Sequence, residues 1–274
     1  MSTPYDHLHW WLSGHPTITT FQWSPSQTPF SSLPSLIISI LLYLSLTLLL
    51  HLLPIPSPSP SLLHLFSSLH NLILLLLSFT MSLGCSLSSL SLPSRHLFCF
   101  PPSSTLPQGP LFFWSYIFYL SKLYEFIDTL LILLSGGRRL TFLHVYHHAG
   151  VVLMSYLWLA TKQSLMPIAL VTNASVHVVM YSYYLCSSLG WRWPPRLKRM
   201  VTEVQILQFV VSFGMSLVFL WFHFFDGGCE GMQGWLFNAL FNASLLLLFL
   251  DFHGKAYGSF KKRDKMIMMT KKTE

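Results

Sequence analysis

Seven long apolar stretches constrain this chain more than any other feature of its sequence. About 20 consecutive apolar residues span the hydrocarbon core of a bilayer as one helix. Only 9% of the residues are charged, against roughly 25% in a soluble domain. The sequence therefore predicts an all-α integral membrane protein with seven transmembrane helices. Their approximate bounds are 33–53, 62–88, 111–135, 143–161, 166–188, 201–224 and 233–253.

The basic residues between these stretches predict how the chain crosses the membrane. Lysine and arginine are abundant in the 136–142 and 189–200 loops and in the C-terminal tail, and absent from the 225–232 loop. By the positive-inside rule, the basic loops and the C-terminus lie in the cytosol and the N-terminus lies in the lumen. This orientation requires an odd number of spans. The net charge of +7 then indicates orientation and anionic ligands, with no nucleic-acid binding.

These patterns divide the chain into three parts. Residues 1–30 form a lumenal N-terminal segment that lacks the basic start and apolar core of a signal peptide. Residues 31–254 form the membrane domain, and residues 255–274 form a basic cytosolic tail. The tail ends in Lys271-Lys272-Thr273-Glu274, which is similar to a dilysine retrieval signal of the endoplasmic reticulum. A generic basic tail attracted to anionic lipid is the alternative.

Three histidines interrupt the fourth apolar stretch. His144, His147 and His148 follow i, i+3, i+4 spacing, so all three lie on one face of a helix. Ionisable side chains at membrane depth are costly and usually face a protein interior or a polar cavity. The cluster therefore predicts a functional site. The alternative is a structural role, in which neighbouring helices supply the hydrogen-bond partners of these histidines.

Three other spans carry polar stripes at helical spacing. Each stripe has a structural alternative: an ion pair that sets helix registry, a core histidine, interfacial tyrosines, or glutamines that join helices. Lys122 and Glu125 are expected to neutralise one another. The stripes are Lys122, Glu125, Asp128 and Thr129 in the third span; Asn173, His177, Tyr181 and Tyr184 in the fifth; and Thr202, Gln205, Gln208 and Phe209 in the sixth.

Depth in the membrane decides whether these side chains meet. With a rise of 1.5 Å per residue, the four polar stripes overlap in the cytosolic half of the bilayer. We therefore expect one polar chamber that opens toward the basic loops. Apolar residues at 219–222 and 245–250 predict an apolar extension of this chamber, which suits a long-chain substrate with a polar, phosphorylated head group.

The polar stripes together resemble the motifs of the ELO family, the condensing enzymes of very-long-chain fatty acid elongation. One H-x-x-H-H box is weakly specific, whereas four motifs in order are highly specific. The resemblance covers about residues 115–210, and the Ser/Pro/Leu-rich start is only loosely similar to the plant branch. The four motifs are K-x-x-E-x-x-D-T at Lys122–Thr129, H-x-x-H-H at His144–His148, N-x-x-x-H-x-x-M-Y-x-Y-Y at Asn173–Tyr184 and T-x-x-Q-x-x-Q-F at Thr202–Phe209.

The resemblance implies a fold and a reaction. The fold has seven helices, six of them arranged as an inverted barrel around an acyl-chain tunnel. In the reaction, acyl-CoA and malonyl-CoA give 3-oxoacyl-CoA, carbon dioxide and CoA, with no cofactor and no metal. By resemblance, His147 is the nucleophile, His144 and His148 orient it or relay protons, and His177 assists. The implied chamber lining is Lys122, Glu125, Asp128, Asn173, Tyr181, Tyr184, Gln205 and Gln208.

The chemistry of the residues agrees with a histidine nucleophile. No cysteine lies in any polar stripe, so the usual thiol of a condensing enzyme is missing, and an imidazole can take its place. We expect an acyl-imidazole on His147; a ternary complex in which His147 acts only as a base is the rival mechanism.

The basic residues are candidates for phosphate binding, and the resemblance also implies partner proteins. Arginine and lysine suit phosphate binding, and a role in orientation alone is the alternative. The resemblance implies membrane lipid, the ketoreductase, dehydratase and enoyl reductase of the elongation cycle, and a second copy of the chain as partners. The candidates for CoA phosphates are Arg138, Arg139, Arg196, Lys198 and Arg199.

Two cysteines are candidates for a disulfide. The predicted topology places Cys99 and Cys229 in lumenal loops, and the lumen is oxidising. A bridge between them is therefore expected to tie the 89–110 loop to the 225–232 loop. Two cysteines in separate loops need not meet, which is the alternative.

Two other functions stay open at this point. A di-iron desaturase or hydroxylase also carries an H-x-x-H-H box, and imidazole is a good iron ligand. Such sites draw on several histidine boxes, whereas this sequence has one box and scattered remaining histidines. A non-enzymatic lipid transporter is the second alternative, although transporters often contain internal repeats and none is found here.

Overall fold

The protein is described by a computed structural model. The structure describes residues 3–25, 27–53, 58–136, 140–191 and 193–270, and within 258–270 it describes the backbone. Throughout these ranges the regular elements are helical, and the one strand-like contact is an isolated bridge between Gln22 and Gln108. The predicted all-α fold is therefore confirmed.

Short helical segments begin the chain: α1 (Pro4–His9), a π-helical turn (Trp10–Gly14) and α2 (Pro16–Thr19). Thr3 caps α1 reciprocally with Asp6, a capping box that satisfies two free N–H groups. The indole of Trp114 donates a hydrogen bond to the Leu12 carbonyl at 2.8 Å. This contact ties the N-terminal segment to the helical bundle.

Eight longer helices follow, together with a 3₁₀ turn at Ser94–Leu97. Five of them, α3, α4, α5, α8 and α9, have proline in the first two positions, where the missing N–H group breaks no helical hydrogen bond. The helices are α3 (Leu33–Leu52), α4 (Pro60–Leu90), α5 (Pro110–Tyr124), α6 (Phe126–Leu134), α7 (Phe142–Ala160), α8 (Met166–Ser188), α9 (Pro195–Phe225) and α10 (Met232–Thr270).

Membrane-spanning character is clearest in four of these helices. By length and composition, α3, α4, α9 and the Met232–Tyr257 part of α10 are able to cross a membrane. The other predicted spans correspond to α5 with α6, to α7 and to α8. Helices α5 and α6, with 15 and nine residues, are each too short to cross a membrane alone, and the polar motifs of α7 and α8 lower the mean hydropathy of these two helices. The seven-span count and the inverted barrel stay predictions.

The third predicted span is not one continuous helix, and this corrects the sequence analysis. The chain forms a turn at Glu125, between α5 and α6. The Glu125 carbonyl accepts from the Asp128 N–H at 3.0 Å, an i to i+3 bond that tightens the backbone as in a 3₁₀ turn. Glu125 therefore lies at a helix junction.

Two close approaches fix the packing of the bundle. A Cβ added at Gly84 of α4 would lie 2.2 Å from the Trp114 ring, and one added at Gly150 of α7 would lie 2.3 Å from the Phe241 ring. Helices α4 and α8 have the most extensive contact in the bundle. Hydroxyl pairs such as Ser82 with Ser175, at 2.9 Å, join them, as polar groups commonly do between membrane helices.

One end of the bundle is closed by covalent and ionic links. Cys99 and Cys229 form a disulfide bond. Near it, Lys162 Nζ lies 2.7 Å from a carboxylate oxygen of Glu230. The 89–110 and 225–232 segments are thereby held together at this end, which we call the disulfide end.

Candidate active site

A cavity of about 920 Å³ lies between α4, α6, α7, α8, α9 and α10. It brings together polar side chains from all four motifs, as the overlap of the stripes predicts. Lys122 is buried beside the cavity and is not among its lining residues within the described chain. The predicted site residues that line it are Glu125, Asp128, His144, His147, His148, Asn173, His177, Tyr181, Tyr184, Gln205 and Gln208, with Lys198.

The cavity occupies one half of the bundle. Residues near helix ends, such as Pro58, Ser135 and Ser187, line one side of it; we call this the cavity end. On the other side the lining reaches Phe209 and Phe249, whose rings pack at 5.5 Å.

The predicted apolar extension was wrong for residues 219–222. Within the described ranges, none of these residues lines the cavity. Phe219 is fully buried and stacks on Trp235 at a centroid distance of 5.5 Å. Phe219 and Trp235 fill this space by packing on one another, whereas the Trp221 ring is 61% exposed.

The histidine box begins two residues after the start of α7. Thr141 caps this helix by accepting a hydrogen bond from the His144 N–H at 3.2 Å. The rings of His144 and His148 are 4.3 Å apart, and those of His147 and His148 are 5.5 Å apart. Both His147 Nδ1 and His148 Nδ1 are buried without a hydrogen-bond partner in the described structure. Buried polar atoms are rarely left unsatisfied, and both of these nitrogens belong to residues that line the cavity.

Two hydroxyl groups hold the first histidine of the box. Thr129 Oγ1 lies 2.9 Å from His144 Nε2. The Tyr43 hydroxyl lies 3.0 Å from the same Thr129 oxygen. A chain of hydrogen bonds from α3 through α6 to α7 therefore orients the His144 ring.

A buried ion pair faces the box from α5 and the α5–α6 junction. Lys122 Nζ lies 2.7 Å from Glu125 Oε1 and 3.3 Å from His177 Nδ1. His177 Nδ1 also lies 3.5 Å from Glu125 Oε1, so this nitrogen contacts both members of the ion pair, as an acceptor toward the ammonium group. The opposite charges of Lys122 and Glu125 compensate one another, as burial demands.

Asp128 is held on both of its oxygens. Oδ1 lies 2.9 Å from His70 Nε2, and Oδ2 accepts a hydrogen bond from the Tyr181 hydroxyl at 2.9 Å. The Asp128 side chain keeps 18% of its surface exposed and lines the cavity. A fixed carboxylate is thus presented to whatever occupies the cavity.

Amide side chains complete the wall between α8 and α9. The Asn173 amide donates to Gln208 Oε1 at 3.4 Å, and the Gln205 amide lies 3.3 Å from Met180 Sδ. Asn173 Oδ1 is buried and has no partner among the residues described. These groups join helices, and Asn173 also keeps an acceptor in the cavity wall.

The predicted phosphate-binding residues fall into three groups. Arg138 and Arg139 lie outside the described residues. Lys198 lines the cavity. Arg199 instead pairs with Glu203 at 2.7 Å, and the exposed Arg196 is not part of the cavity wall in the described chain.

The sequence analysis missed two side chains of this region, His70 and Tyr43. It treated His70 as one scattered histidine among several. The signal that could have found it is its position inside an apolar helix, where an ionisable group is costly. Within the described ranges, no group of three or more His, Cys, Asp or Glu side chains is arranged to hold a metal ion.

The fold and the cavity define a class, the helical membrane proteins with a buried, histidine-lined chamber. Residues 28–265 match the model of the ELO: GNS1/SUR4 family. The chain belongs to this family, so the resemblance predicted from the four motifs is confirmed.

Relatives with assigned names support the same assignment. The chain is 30% identical to Fatty acid elongase 3-like of Arabidopsis thaliana over 93% of each chain. It is 35% identical to Fatty acid elongase A of Dictyostelium discoideum over 90% of this chain and 93% of the relative. It is 37% identical to Very long chain fatty acid elongase 6 of Rattus norvegicus over 58% of this chain and 60% of the relative.

Proposed function

We propose that this protein is the condensing enzyme of fatty acid elongation, which joins acyl-CoA to malonyl-CoA and forms 3-oxoacyl-CoA, carbon dioxide and CoA. Family membership and relatives named fatty acid elongases support elongation. The observation that carries the condensing role is the cavity itself. It presents His144, His147 and His148 together with His177 and the Glu125 carboxylate, a set suited to acyl transfer.

In the first half of the reaction, His147 is the nucleophile. Burial disfavours a charged imidazolium, so the ring is held in the neutral form that attacks. A ring nitrogen bonds to the thioester carbon while the carbon–sulfur bond breaks. The CoA sulfur takes the electron pair of that bond, and the proton displaced from the imidazole converts it to the thiol. The acyl group is left on His147.

In the second half, malonyl-CoA occupies the same head-group site. The bond to its carboxylate breaks, carbon dioxide leaves, and the electron pair forms an enolate. The enolate carbon bonds to the acyl carbonyl carbon, the carbon–nitrogen bond breaks with its electron pair left on nitrogen, and His147 takes up a proton supplied by solvent. Fixed donors stabilise developing negative charge, and a ring N–H of His177 and the second amide N–H of Asn173, the one not donated to Gln208, have this role. His144 and His148 orient His147 or relay its proton.

The head group of CoA is assigned to the cavity end. Lys198 lines the cavity there, and a lysine suits phosphate. Arg196 and Arg199 are exposed on the same helix, α9. The protein is assigned to the endoplasmic reticulum membrane, with its N-terminus in the lumen and its C-terminus in the cytosol, because of the basic loops and tail.

A product profile tests this function. Protein in microsomes or nanodiscs is supplied with labelled malonyl-CoA and a panel of acyl-CoAs. We expect carbon dioxide release and a labelled 3-oxoacyl-CoA two carbons longer than the acyl-CoA supplied. Acyl-CoA binding without decarboxylation for any chain length contradicts the proposal and favours a lipid-binding or transport role.

A further inference from the structure

One turn of one short helix holds the site together. Helix α6 has nine residues, and its first turn contains Asp128 and Thr129. Thr129 contacts Tyr43 of α3 and His144 of α7. Asp128 contacts His70 of α4 and Tyr181 of α8. Four helices therefore meet at two consecutive residues.

We infer that His70 is a positioning residue of the proposed condensing site, because it donates the hydrogen bond that fixes Asp128 and the first turn of α6. This inference rests on the proposed function. His70 Nε2 is 2.9 Å from Asp128 Oδ1, and the His70 side chain is only 4% exposed. Asp128 lines the cavity, whereas His70 is not among the lining residues of the described chain. His70 lies behind the carboxylate and acts through it.

The direction of this hydrogen bond follows from the acceptor. A carboxylate oxygen accepts and does not donate, so the bond between His70 Nε2 and Asp128 Oδ1 is donated by the imidazole N–H. The other ring nitrogen, Nδ1, is buried and has no partner in the part of the chain that the structure describes.

The consequence for catalysis passes along the backbone from Asp128 to Thr129. Thr129 is the next residue, and it holds the His144 ring at 2.9 Å. If the first turn of α6 loses its anchor on α4, Thr129 and the histidine box lose their fixed spacing. A displacement of about 1 Å remote from the reacting atoms costs on the order of a hundredfold in rate. The loss falls on kcat, because the histidine box is displaced while the CoA head group is assigned to the cavity end, where Lys198 lies.

The test compares three His70 variants of the full chain in nanodiscs, measured as condensation kinetics on malonyl-CoA with one acyl-CoA. In His70→Ala and His70→Met we expect kcat to fall about ten- to a hundredfold, with the KM for acyl-CoA within about twofold of wild type. Methionine fills the space without a donor. In His70→Gln we expect kcat within about threefold of wild type, since a side-chain amide donates to a carboxylate.

Two controls separate positioning from packing. Leu74→Ala, one turn along α4 at a buried position, lowers the melting temperature while kcat of the folded protein stays near wild type. In the Asp128→Asn background, His70→Ala lowers kcat by less than about threefold, because residues that act as a unit are not additive.

The outcomes are distinct. Wild-type kcat in both His70→Ala and His70→Met overturns the positioning role. A His70→Gln protein that melts like wild type but is as slow as His70→Ala also overturns it. A wild-type protein that does not decarboxylate malonyl-CoA with any acyl-CoA contradicts the proposed function itself, and the positioning role falls with it.

Discussion

The two ends of the helical bundle differ in the buried polar groups that they contain. At the disulfide end, charged side chains are paired: Lys162 with Glu230 at 2.7 Å and Arg95 with Asp226 at 3.2 Å. At the cavity end, several buried polar atoms have no partner in the described structure. These atoms are His147 Nδ1, His148 Nδ1, Glu125 Oε2, Asn173 Oδ1 and His70 Nδ1.

This contrast indicates that the two ends contribute differently to stability and to the proposed catalysis. An unsatisfied buried polar atom costs free energy, so its retention indicates a use other than folding. The disulfide side also has buried polar atoms without a partner in the described chain, on Gln163, Ser115 and Trp23. The difference is that the cavity end gathers such atoms around one cavity, the proposed site of catalysis, whereas the disulfide end holds the covalent link.

The largest effect is expected from the central histidine of the box. In His147→Ala we expect turnover to fall on the order of a thousandfold or more, because the attacking group is removed. The melting temperature should change little, since His147 Nδ1 has no hydrogen bond to lose in the described structure. Condensation assays and thermal unfolding of the same preparation measure both quantities.

A histidine at the other end is the matched control for this change. His96 lies in the Ser94–Leu97 turn, near the disulfide, and His96→Ala is expected to keep wild-type turnover. Turnover retained in His147→Ala, or lost equally in both variants, is incompatible with a catalytic cavity end.

The disulfide should matter for stability alone. It joins residues 130 positions apart, and loss of a native disulfide costs about 2–5 kcal/mol. We expect the Cys99→Ser, Cys229→Ser double variant to unfold more easily, with kcat unchanged at a temperature where it is folded. Cys186→Ser, at a free cysteine, is the control. A matching fall in kcat would show that the two ends are coupled.

Two helical glycines, one crowded and one open, test how tight packing affects stability. In Gly84→Ala the new methyl group meets the buried Trp114 ring at 2.2 Å, and overpacking costs about 1–3 kcal/mol. In Gly214→Ala nothing lies within 4 Å of the new methyl group, and stability should rise by about 0.4–1 kcal/mol. Melting temperatures of the two proteins should therefore move in opposite directions. A fall for both would show that the contact with Trp114 is not the cause.

The smallest effect is a pH dependence at the disulfide end. Burial raises the pKa of Glu230, but hydrogen bonds from Lys162 and from the Ser103 N–H outweigh it and hold the pKa below its ordinary value of 4.5. A carboxyl group whose pKa is lowered on folding stabilises the protein above its unfolded pKa. That stabilisation is lost as the pH falls through the folded pKa.

The variant Glu230→Gln measures this contribution. We expect its melting temperature to lie below that of wild type at pH 7, and the difference to shrink as the pH falls below 4.5. The exposed Asp251 provides the control, because Asp251→Asn should change little at any pH. A difference that does not depend on pH would assign the effect of Glu230 to packing.

The sequence predicted the chamber well because helical periodicity and span length determine it. His144, His147 and His148 share a face by spacing alone, and span length places His177 and Gln205 at the same depth. The structure brings these side chains to one cavity. Local patterns were sufficient here because each helix carries its own polar stripe.

Contacts between distant segments could not be predicted from such local patterns. One partner of Asp128 is His70, 58 residues earlier, and nothing in the local pattern of α4 specifies which helix His70 faces. The turn at Glu125 and the packed aromatic side chains around Phe219 are likewise products of tertiary packing. An apolar run predicts burial, but it does not predict whether the space beside it is open or filled.

The most direct test of the account is incubation of the protein with acyl-CoA alone. If His147 is a nucleophile in an otherwise complete site, about one CoA per active site is released before any malonyl-CoA is added. The peptide that contains His147 gains the acyl mass, and His147→Ala shows neither event. Mass spectrometry and a thiol assay on one sample measure both. No CoA release and no modified peptide in the active wild-type protein would contradict the covalent route through His147.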